Sequence, residues 1–593
     1  MFQSKYSQLL IIFCTMLILM VGCKSEPSSS SATTTTGESF TVVSHLASEP
    51  SMLNPYLSTS SYNRQVFQNI FSNLVHYDTR TLELAPMLVK EIPKAQSITE
   101  GEHAGKVSLT YEIHDNAVWS NGTPVTGHDV DFTLKAILNP KVPAPAYRAV
   151  AASFFDINID EANPKKFTLI GNNYFLLDYV FTDLPILPEY VYDQKGIMKN
   201  FAVSQLWNIE EATKLADSDA RLEEFANEFK LEKYQREKEF ITGCGAYELE
   251  EWLTGQRVIL KKKKDWWGKD MATKYPLLQA NPESIIFRPI KDQTTAITEL
   301  KSGGLDAMTV IQSQQLMELK ESTLGQERLN FYSPLTYGIY YMGINSNRPK
   351  LADKRVRKAI AHLIDADKII SDVIYGYGSR IVGPIHPNRK YFNSDLKPVE
   401  LNVEKAIQLL KEAGWEDTNS NGTVDKMIDG ERTELVLDYR ASSGGIGEKI
   451  GLIFLPNAKR AGVGINIITE NYNNLRKELE RRDYDLFVAG WNQDPSLNDL
   501  YQTWHTDNDT PKGGNKFGFG TEESDDLIEK IRTQMSTEER TKLYHRVQEI
   551  IYDEQPCVFL YAAKGRMAIN KKFEYTPSTR KPGVFENEFK LRE

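Results

Sequence analysis

The sequence predicts an α/β protein made of more than one globular unit, and three observations support this expectation. The chain has 593 residues, which is more than one domain usually contains. Hydrophobic residues make up 41% and charged residues 25%, as in ordinary globular proteins. Patterns typical of strands and of helices alternate along the chain without an internal repeat, which favours sheets covered by helices.

The elements of the N-terminal half follow from alternation and from turn residues. Apolar and polar residues alternate over 107–114, which predicts a half-buried strand. A helix is predicted over 129–138, because Asn139 and Pro140 would end it. The remaining predictions are strands over 40–45, 257–262 and 284–290, a solvated helical stretch over 210–239 and a helix over 293–301.

The clearest helix of the C-terminal half begins after Asp353, a residue type suited to cap a helix N-terminus. Apolar residues recur on one face of this helix, and the basic residues between them are expected to face solvent. The apolar set is Val356, Ala359, Ile360, Leu363 and Ile364, and the basic set is Lys354, Arg355, Arg357 and Lys358. Further helices are predicted over 403–413 and after the capping pair Ser536 and Glu539, and strands over 434–439 and 464–468.

The N-terminus has the pattern of an export signal. Lys5 supplies a positive charge, and the apolar run over 9–21 is shorter than the roughly 20 residues of a membrane-spanning helix. The segment from Leu19 to Cys23 resembles a bacterial lipobox, with Met20 at a place where Leu is usual. We therefore expect residues 1–22 to be a lipoprotein signal peptide and Cys23 to carry the lipid. The alternative is an ordinary signal peptide with an incidental cysteine.

Residues 23–39 are small and polar, and they are expected to form a flexible Ser/Thr-rich tether. Cys244 and Cys557 are the other cysteines of the mature chain, since Cys14 would leave with the signal. An exported protein meets an oxidising environment, where two thiols can pair. Whether these two form a disulfide depends on the distance between their Cα atoms, which the sequence leaves open.

Composition and missing motifs exclude several classes of function. The formal net charge is −10, whereas a nucleic-acid partner demands clustered Lys and Arg. The sequence contains no His-Glu-x-x-His, no Gly-x-Ser-x-Gly and no cysteine pair at zinc spacing. The nine His residues are scattered along the chain. We therefore expect no cofactor, no catalytic residue and no nucleic-acid partner.

One loop is a weak candidate for a calcium site. The segment 417–425 matches the first nine positions of an EF-hand loop, and its candidate ligands are Asp417, Asn419, Asn421 and Asp425. Ile428 stands where the bidentate Glu of such a loop belongs. The competing interpretation is an Asn/Gly turn, which the same residue types favour. Apart from this weak candidate, the prediction for metal ligands is none.

Four blocks in the sequence occur in a fixed order: WSNGTPVT at 119–126 with Asp129-Val130 after it, GCGAY at 243–247, GIN at 343–345 followed by DKRVRKAI at 353–360, and DYD at 483–485 with Gly490-Trp491 and Asp494-Pro495 after it. Together they resemble the signatures of the family 5 extracellular solute-binding proteins, which are the binding components of peptide and nickel ABC importers. The resemblance extends from about Phe40 to the end of the chain. The sequence departs from the family pattern at His114-Asp115, at Cys244 and in the charged stretch over 210–239.

The resemblance implies the two-lobed periplasmic-binding-protein fold of the large peptide-binding class (type II), with a hinge between the lobes and a small additional domain. Lobe I would comprise residues 38–90, 180–333 and 556–593. The extra domain would take residues 91–179 beside lobe I, and lobe II would take residues 334–555. A ligand held between the lobes favours closure, because only the closed state contacts it from both sides.

The resemblance also implies a site that binds short peptides. Asp494 corresponds to the family residue that pairs with the α-ammonium of a peptide, and a buried ammonium needs such a carboxylate. Gly490 and Trp491 would offer backbone groups and an aromatic wall. Tyr340, Tyr341 and Tyr472 are candidates for further aromatic contacts, although each is equally compatible with a core position, and Asn54 is a candidate on the opposite side. No residue is singled out as the reader of the peptide carboxylate.

The expected function is an exported, lipid-anchored receptor that acts as a monomer and passes peptides to ABC permease subunits. Its body would lie in the periplasm or at the outer face of the membrane. One alternative within the same fold is a receptor for a metal chelate, an opine, a sugar or a cell-wall peptide. A more distant alternative is a surface hydrolase or an adhesion lipoprotein.

Overall fold

The computed structural model describes residues 40–171, 183–493, 498–534 and 536–593. These residues belong to one unit, Phe40–Glu593. The predicted signal peptide, the tether, Cys23 and Asp494 lie outside the described residues. No helix among the described residues combines the length and the apolar composition needed to cross a bilayer.

Seven strands of the described chain form the first sheet, which is mixed. Thr41–Leu46 pairs in parallel with Ser284–Pro289 and with Ala307–Met308, and the other pairings are antiparallel. The strands predicted over 40–45, 257–262 and 284–290 are present within one residue at each end. In spatial order the strands are Leu329–Tyr332, Met567–Asn570, Ala307–Met308, Thr41–Leu46, Ser284–Pro289, Arg257–Lys262 and Tyr247–Leu253.

Six described strands form the second sheet, which is also mixed. Val436–Ser442 pairs in parallel with both Gly464–Glu470 and Leu486–Asn492. The strand predicted from Glu434 begins only at Val436, because Glu434 pairs with Asp425 in a separate hairpin. In spatial order the strands are Gly378–Ser379, Cys557–Lys564, Leu335–Ile344, Leu486–Asn492, Val436–Ser442 and Gly464–Glu470.

A four-stranded antiparallel sheet lies in the N-terminal half, and it is covered by the helix Gly127–Leu138. This helix starts two residues earlier than predicted because Thr126 caps it. The Thr126 hydroxyl accepts from His128 N, and the Asp129 carboxylate accepts from Thr126 N at 2.9 Å, which completes a capping box. In spatial order the strands are Gln96–Ser97, Val107–Glu112, Lys166–Gly171 and Phe154–Ile159.

Short two-stranded sheets and helices complete the described fold. The two-stranded sheets pair Val75–Tyr77 with Leu84–Pro86, Asp425–Ile428 with Glu431–Glu434, and Phe573–Glu574 with Lys590–Leu591. The helices of the first half are Ser61–Phe67, Pro145–Ala151, Glu189–Tyr192, Val203–Leu206, Ile209–Ser218, Ala220–Phe229, Lys233–Arg236, Gln293–Ser302, Ser313–Glu321 and Thr323–Arg328. Those of the second half are Lys354–His362, Ala366–Lys368, Val403–Glu412, Ile446–Arg460, Tyr472–Arg481, Tyr501–Trp504, Glu522–Thr533 and Thr537–Glu554.

Arg357 corrects one expectation from the helical pattern. We predicted that it faces solvent, but it is buried. Its Nε donates to the Glu554 carbonyl at 2.8 Å, and its guanidinium also pairs with the Glu554 carboxylate at 2.9 Å. The cause is that the helix Lys354–His362 lies against the end of the helix Thr537–Glu554, where unpaired carbonyls and a carboxylate favour a cation.

The chain crosses from the first sheet to the second at residues 332–335 and returns at residues 564–567. The two crossings lie side by side, because Gly565 N donates to Pro334 O at 2.7 Å. The strand Cys557–Lys564 still pairs with the second sheet, and the chain reaches the first sheet at Met567–Asn570. The domain boundaries proposed from the sequence stay a prediction.

The two described cysteines do not form a disulfide. Cys244 and Cys557 are both buried free thiols. They lie in different core clusters, Cys244 with the N-terminal sheets and Cys557 on a strand of the second sheet. Burial raises the pKa of both thiols, to about 11 for Cys244. The question left open by the sequence is thus answered by packing, which separates the two residues.

A buried carboxyl group ties the C-terminal segment to the first sheet. The Glu586 side chain is inaccessible to solvent and accepts from Ser44 Oγ at 2.7 Å and from Gln65 Nε2 at 2.8 Å. Its second oxygen has no hydrogen-bond partner among the described residues. Burial raises the pKa of Glu586 to about 7. The folded protein therefore holds a proton that the unfolded chain releases above its ordinary pKa of 4.5.

We predict that Glu586→Gln removes a pH dependence of stability. The folded state binds the extra proton between about pH 4.5 and 7, so the free energy of unfolding of the wild type falls as pH rises through this window. Denaturant unfolding at pH 5 and at pH 8 measures this change. From pH 5 to pH 8 the unfolding free energy of the wild type should fall by on the order of 3 kcal/mol more than that of the variant. The exposed Glu574, changed to Gln, is the control. A wild-type-to-Glu586→Gln difference that is independent of pH would contradict the assignment.

Candidate functional site

The candidate site follows from the direction of the parallel strands. In the first sheet the pairing of Met308 with Ala568 places the carboxyl end of the central parallel strands at the crossing edge. In the second sheet the pairing of Asn492 with Gly338 places the end of Leu486–Asn492 beside the same crossings. The strand ends at this edge are Leu46, Pro289 and Met308 from the first sheet and Ser442, Glu470 and Asn492 from the second.

Both sheets therefore direct the carboxyl ends of their parallel strands towards the crossings. In α/β proteins a ligand binds in the crevice outside such carboxyl ends, where the connecting loops leave room. The loops that leave these strands begin at Ala47 on one side and at Ser443, Asn471 and Gln493 on the other. We take the region between the two edges as the candidate cleft.

The residue singled out first by the sequence, Asp494, lies outside the described residues, but both flanks of its segment are anchored. On one flank Gln493 N donates to Tyr337 O at 3.0 Å. On the other flank the Tyr391 hydroxyl donates to Asn498 Oδ1 at 2.7 Å, and Asn498 N donates to the Tyr391 hydroxyl at 3.2 Å. The residues on either side of the segment 494–497 are thus held in place, Gln493 by Tyr337 and Asn498 by Tyr391.

Trp491 and Tyr341 pack against each other on one face of the second sheet. Their ring centroids are 4.4 Å apart. Tyr341 is only 8% exposed and lies in the core with Phe487 and Phe517, where burial raises the pKa of its hydroxyl. Trp491 is half-buried at the rim of the same cluster. Of this pair, Trp491 is the one with a surface that a ligand can reach, and the role of Tyr341 in a cleft stays a prediction.

Gly490 and Tyr340 are paired with each other on neighbouring strands of the second sheet. Gly490 is exposed, and the Tyr340 ring stacks on Tyr561 with centroids 4.8 Å apart. A Cβ placed on Gly490 would lie 2.9 Å from Tyr340 Cδ1 and 3.0 Å from Ile339 O. The absent side chain therefore lets the Tyr340 ring lie flat and leaves the backbone of Gly490 accessible.

Tyr472 and Asn54 differ sharply in exposure. Tyr472 is 69% exposed and follows directly on Asn471, which caps the helix Tyr472–Arg481 at the cleft edge. Asn54 is fully buried, and its Oδ1 accepts from Tyr56 N at 3.0 Å. The Asn54 Nδ2 has no hydrogen-bond partner among the described residues. Tyr472 is thus available to a ligand, whereas Asn54 shapes the loop after the first strand.

Two residues that the sequence analysis missed lie at the same edges. Val310 is 57% exposed and follows the strand Ala307–Met308, and Ile446 is 37% exposed at the start of the helix Ile446–Arg460. Both residues lie just after the carboxyl ends of parallel strands, where ligands bind in α/β proteins, so both are candidates for apolar contacts with a ligand. The signal was present in the sequence as an apolar residue just past a strand, but only the topology shows that the two edges face each other.

The calcium candidate at 417–425 is held together by its own hydrogen bonds. The Asp417 carboxylate accepts from Asn421 N at 3.2 Å and Gly422 N at 2.9 Å. The Asp425 carboxylate accepts from the Thr418 hydroxyl at 2.8 Å and from Arg432 Nε at 3.1 Å. These contacts are typical of an Asn/Gly turn. No group of three or more His, Cys, Asp or Glu side chains in the described ranges is arranged to hold a metal ion.

Comparisons with known proteins agree with this geometry. The family model described as bacterial extracellular solute-binding proteins, family 5 Middle, matches residues 94–512. The oligopeptide-binding protein AppA of Bacillus subtilis is 24% identical over 582 residues, which cover 95% of each chain. The structure of AppA in complex with a nonapeptide has a TM-score of 0.63 at 20% identity and covers 93% of this chain and 99% of AppA.

Two further solved structures share the fold. The murein tripeptide binding protein MppA, in its unliganded open form, has a TM-score of 0.70 at 17% identity and covers 93% of this chain and 98% of its own. NikA from Brucella suis in complex with Fe(III)-EDTA has a TM-score of 0.71 at 16% identity and covers 93% and 100%. The prediction of a two-lobed α/β fold is confirmed.

We predict that Gly490→Ala destabilises the protein even without a ligand. The added methyl group would displace the Tyr340 ring from Tyr561, which should cost about 1–3 kcal/mol of unfolding free energy, as overpacking usually does. Denaturant unfolding measures this loss. Gly383→Ala is the matched control, because nothing lies within 4 Å of a Cβ placed there. Equal stability of the two variants would show that Gly490 is free of packing constraints.

Proposed function

Because the chain belongs to the family 5 bacterial extracellular solute-binding proteins, we propose that it captures short peptides between its lobes and delivers them to the permease of an ABC importer. The family consists of solute-binding proteins, so the chain is a receptor rather than an enzyme. The observation that carries the peptide assignment is the match to an oligopeptide-binding protein over 95% of the chain.

In this proposal Asp494 neutralises the α-ammonium group of the peptide. A buried ammonium is tolerated only beside a carboxylate that also accepts its hydrogen bonds. Gly490 and Trp491 precede it by a few residues, so one short segment supplies an accessible backbone, an aromatic wall and a charge. Backbone pairing to an extended peptide gives affinity without choosing side chains. Tyr340, Tyr341, Tyr472 and Asn54 complete the proposed site.

The proposed domains move about the paired crossings. Lobe I comprises residues 38–90, 180–333 and 556–593, with the extra domain over 91–179, and lobe II comprises residues 334–555. Two adjacent strands of backbone allow a hinge rotation without breaking either sheet. A peptide held from both sides favours the closed state by its differential affinity for it, and we propose that the closed monomer is what the permease receives.

The lipid on Cys23 and the tether over 23–39 are proposed to hold this body at the cell envelope. Several acyl chains on one cysteine make a stable anchor, whereas one chain binds a membrane only marginally. The tether has a composition that stays extended and solvated. The receptor would then sample solutes outside the cell while staying close to its permease.

We predict that Asp494→Asn weakens binding of trialanine by about ten- to a hundredfold, since a charge-assisted hydrogen bond contributes roughly 1.5–3 kcal/mol. Isothermal titration calorimetry of the purified protein gives the dissociation constant. N-acetyl-trialanine, which lacks the ammonium, should bind weakly and equally to wild type and variant.

Asp395→Asn is the matched control, because Asp395 is exposed and lies in the same predicted lobe. If Asp494→Asn binds trialanine as tightly as the wild type and as Asp395→Asn, the role of Asp494 is refuted.

The second candidate is a non-peptide solute, and its support is the fold shared with a protein solved with Fe(III)-EDTA. Native mass spectrometry of the purified protein separates the two candidates. A ladder of released masses that match short peptides supports the first candidate, whereas a single non-peptide mass supports the second.

We predict that Cys23→Ser abolishes lipid attachment. Metabolic labelling with radioactive palmitate should mark the wild type and leave the variant unlabelled, and the variant should move from the membrane fraction to the soluble fraction. Cys14→Ser, within the predicted signal peptide, is the control and should leave labelling intact. A variant that still incorporates palmitate would disprove the lipobox assignment.

A further inference from the structure

A cavity of about 260 Å³ lies beside the helix Ser61–Phe67, in the part of the chain that includes the first sheet. Pro55, in the loop after the first strand, contributes to its wall, which connects the cavity with the carboxyl edge of that sheet. Apolar side chains form most of the remaining wall, chiefly Phe67, Phe71, Tyr147 and Leu184. An apolar group of modest size fits such a space.

A line of three polar side chains forms one end of the cavity. Arg580 Nη1 lies 2.7 Å from His76 Nε2, and His76 Nδ1 contacts the Asp183 carboxylate. A guanidinium only donates, so Nε2 accepts and the ring proton lies on Nδ1, from which it is donated to Asp183. Because Nε2 accepts from Arg580 and so carries no proton, the ring is neutral, and burial and the positive charge of Arg580 lower the pKa of His76 in the same direction. Arg580 and Asp183 therefore balance each other through a neutral imidazole.

Arg64 carries a positive charge that has no counter-charge among the three polar side chains Arg580, His76 and Asp183. Its side chain is exposed on the helix Ser61–Phe67 and lines the same cavity. The positive charge of Arg64 lowers the pKa of His76, as the charge of Arg580 does. Arg64 therefore lies near the three polar side chains. Its guanidinium has no ion pair and no hydrogen bond with any residue in the described ranges. The cavity thus offers one positive charge in excess, at the end of an apolar space.

We propose that this cavity binds a carboxylate attached to an apolar group, with Arg64 as the residue that pairs with the carboxylate. The proposal rests on the proposed function for its preferred source, the C-terminal residue of a bound peptide. A free carboxylic acid has the same chemistry and is the other source. A planar guanidinium can form two parallel hydrogen bonds with a carboxylate. The negative charge of Asp183 is balanced by Arg580 through His76, so it does not repel an anion that approaches Arg64.

Phe71 and Tyr147 would then accept the apolar group. Tyr147 is held in place because its ring packs edge-on against Tyr56 at 5.2 Å and its hydroxyl donates to Ser58 O at 3.1 Å. The Tyr56 hydroxyl in turn donates to Pro185 O, so the cavity wall is fixed from two sides. A rigid apolar wall next to an unpaired cation selects an apolar acid over a neutral or basic group.

Arg64→Gln tests the assignment with Ala-Ala-Phe as the probe, compared with its C-terminal amide and with 3-phenylpropionate. Calorimetry on the purified protein should show that the wild type binds the free acid at least about tenfold more tightly than the amide. The variant should bind acid and amide equally. Lys94→Gln, an exposed lysine outside the cavity, is the matched loss of charge and should keep the preference.

The outcomes separate this inference from the proposed function. If the wild type binds neither tripeptide form, the peptide assignment fails. If it binds acid and amide equally, or if Arg64→Gln keeps the preference for the acid, the carboxylate site is overturned and peptide binding stands. Binding of 3-phenylpropionate that Arg64→Gln abolishes, without a preference between the tripeptides, would support the carboxylate site and assign it to free acids. A melting temperature equal to that of the wild type shows that the variant is folded.

Discussion

The structure depends on one topological constraint: the parallel strands of both sheets end at the edge where the chain crosses between them. Two crossings lie side by side and are joined by a hydrogen bond from Gly565 to Pro334. The loops after the strands of one sheet therefore face the loops after the strands of the other. A pair of separate α/β units would place these edges independently, whereas the double crossing brings them together as the two sides of the candidate cleft.

In the proposed site Asp494 and Arg64 carry charges of opposite sign, which would pair with opposite ends of a zwitterionic guest. Asp494 is an acid that follows the strand Leu486–Asn492, and Arg64 is a cation on a helix that follows the first strand. Each would lose hydration on closure, which is costly unless the guest supplies the counter-charge. The same physics explains why charged groups not meant for a guest are paired internally, as Arg580 is through His76 and Arg357 is with Glu554.

Local elements were predictable because their signals are local. Alternation located the strand Arg257–Lys262 to the residue, and Asp353 caps its helix as expected, by accepting from Arg355 N. Contacts between distant parts of the chain were not predictable. The helical pattern predicts that Arg357 faces solvent, but its partner Glu554 lies 197 residues away, and Glu586 meets Ser44 across 542 residues. The motifs identified Gly490, Trp491 and Asp494, but the excess charge of Arg64 becomes visible only when the polar line beside it has been assembled.

The most direct test of a cleft that closes on a guest is small-angle X-ray scattering of the purified protein with and without trialanine at saturating concentration. The account predicts that the radius of gyration falls on addition of the peptide, because two lobes joined by paired crossings rotate towards each other. A radius of gyration that stays unchanged while calorimetry shows the peptide to be bound would contradict the account. The guest would then lie on one lobe alone, and the shared edge of the two sheets would have no part in holding it.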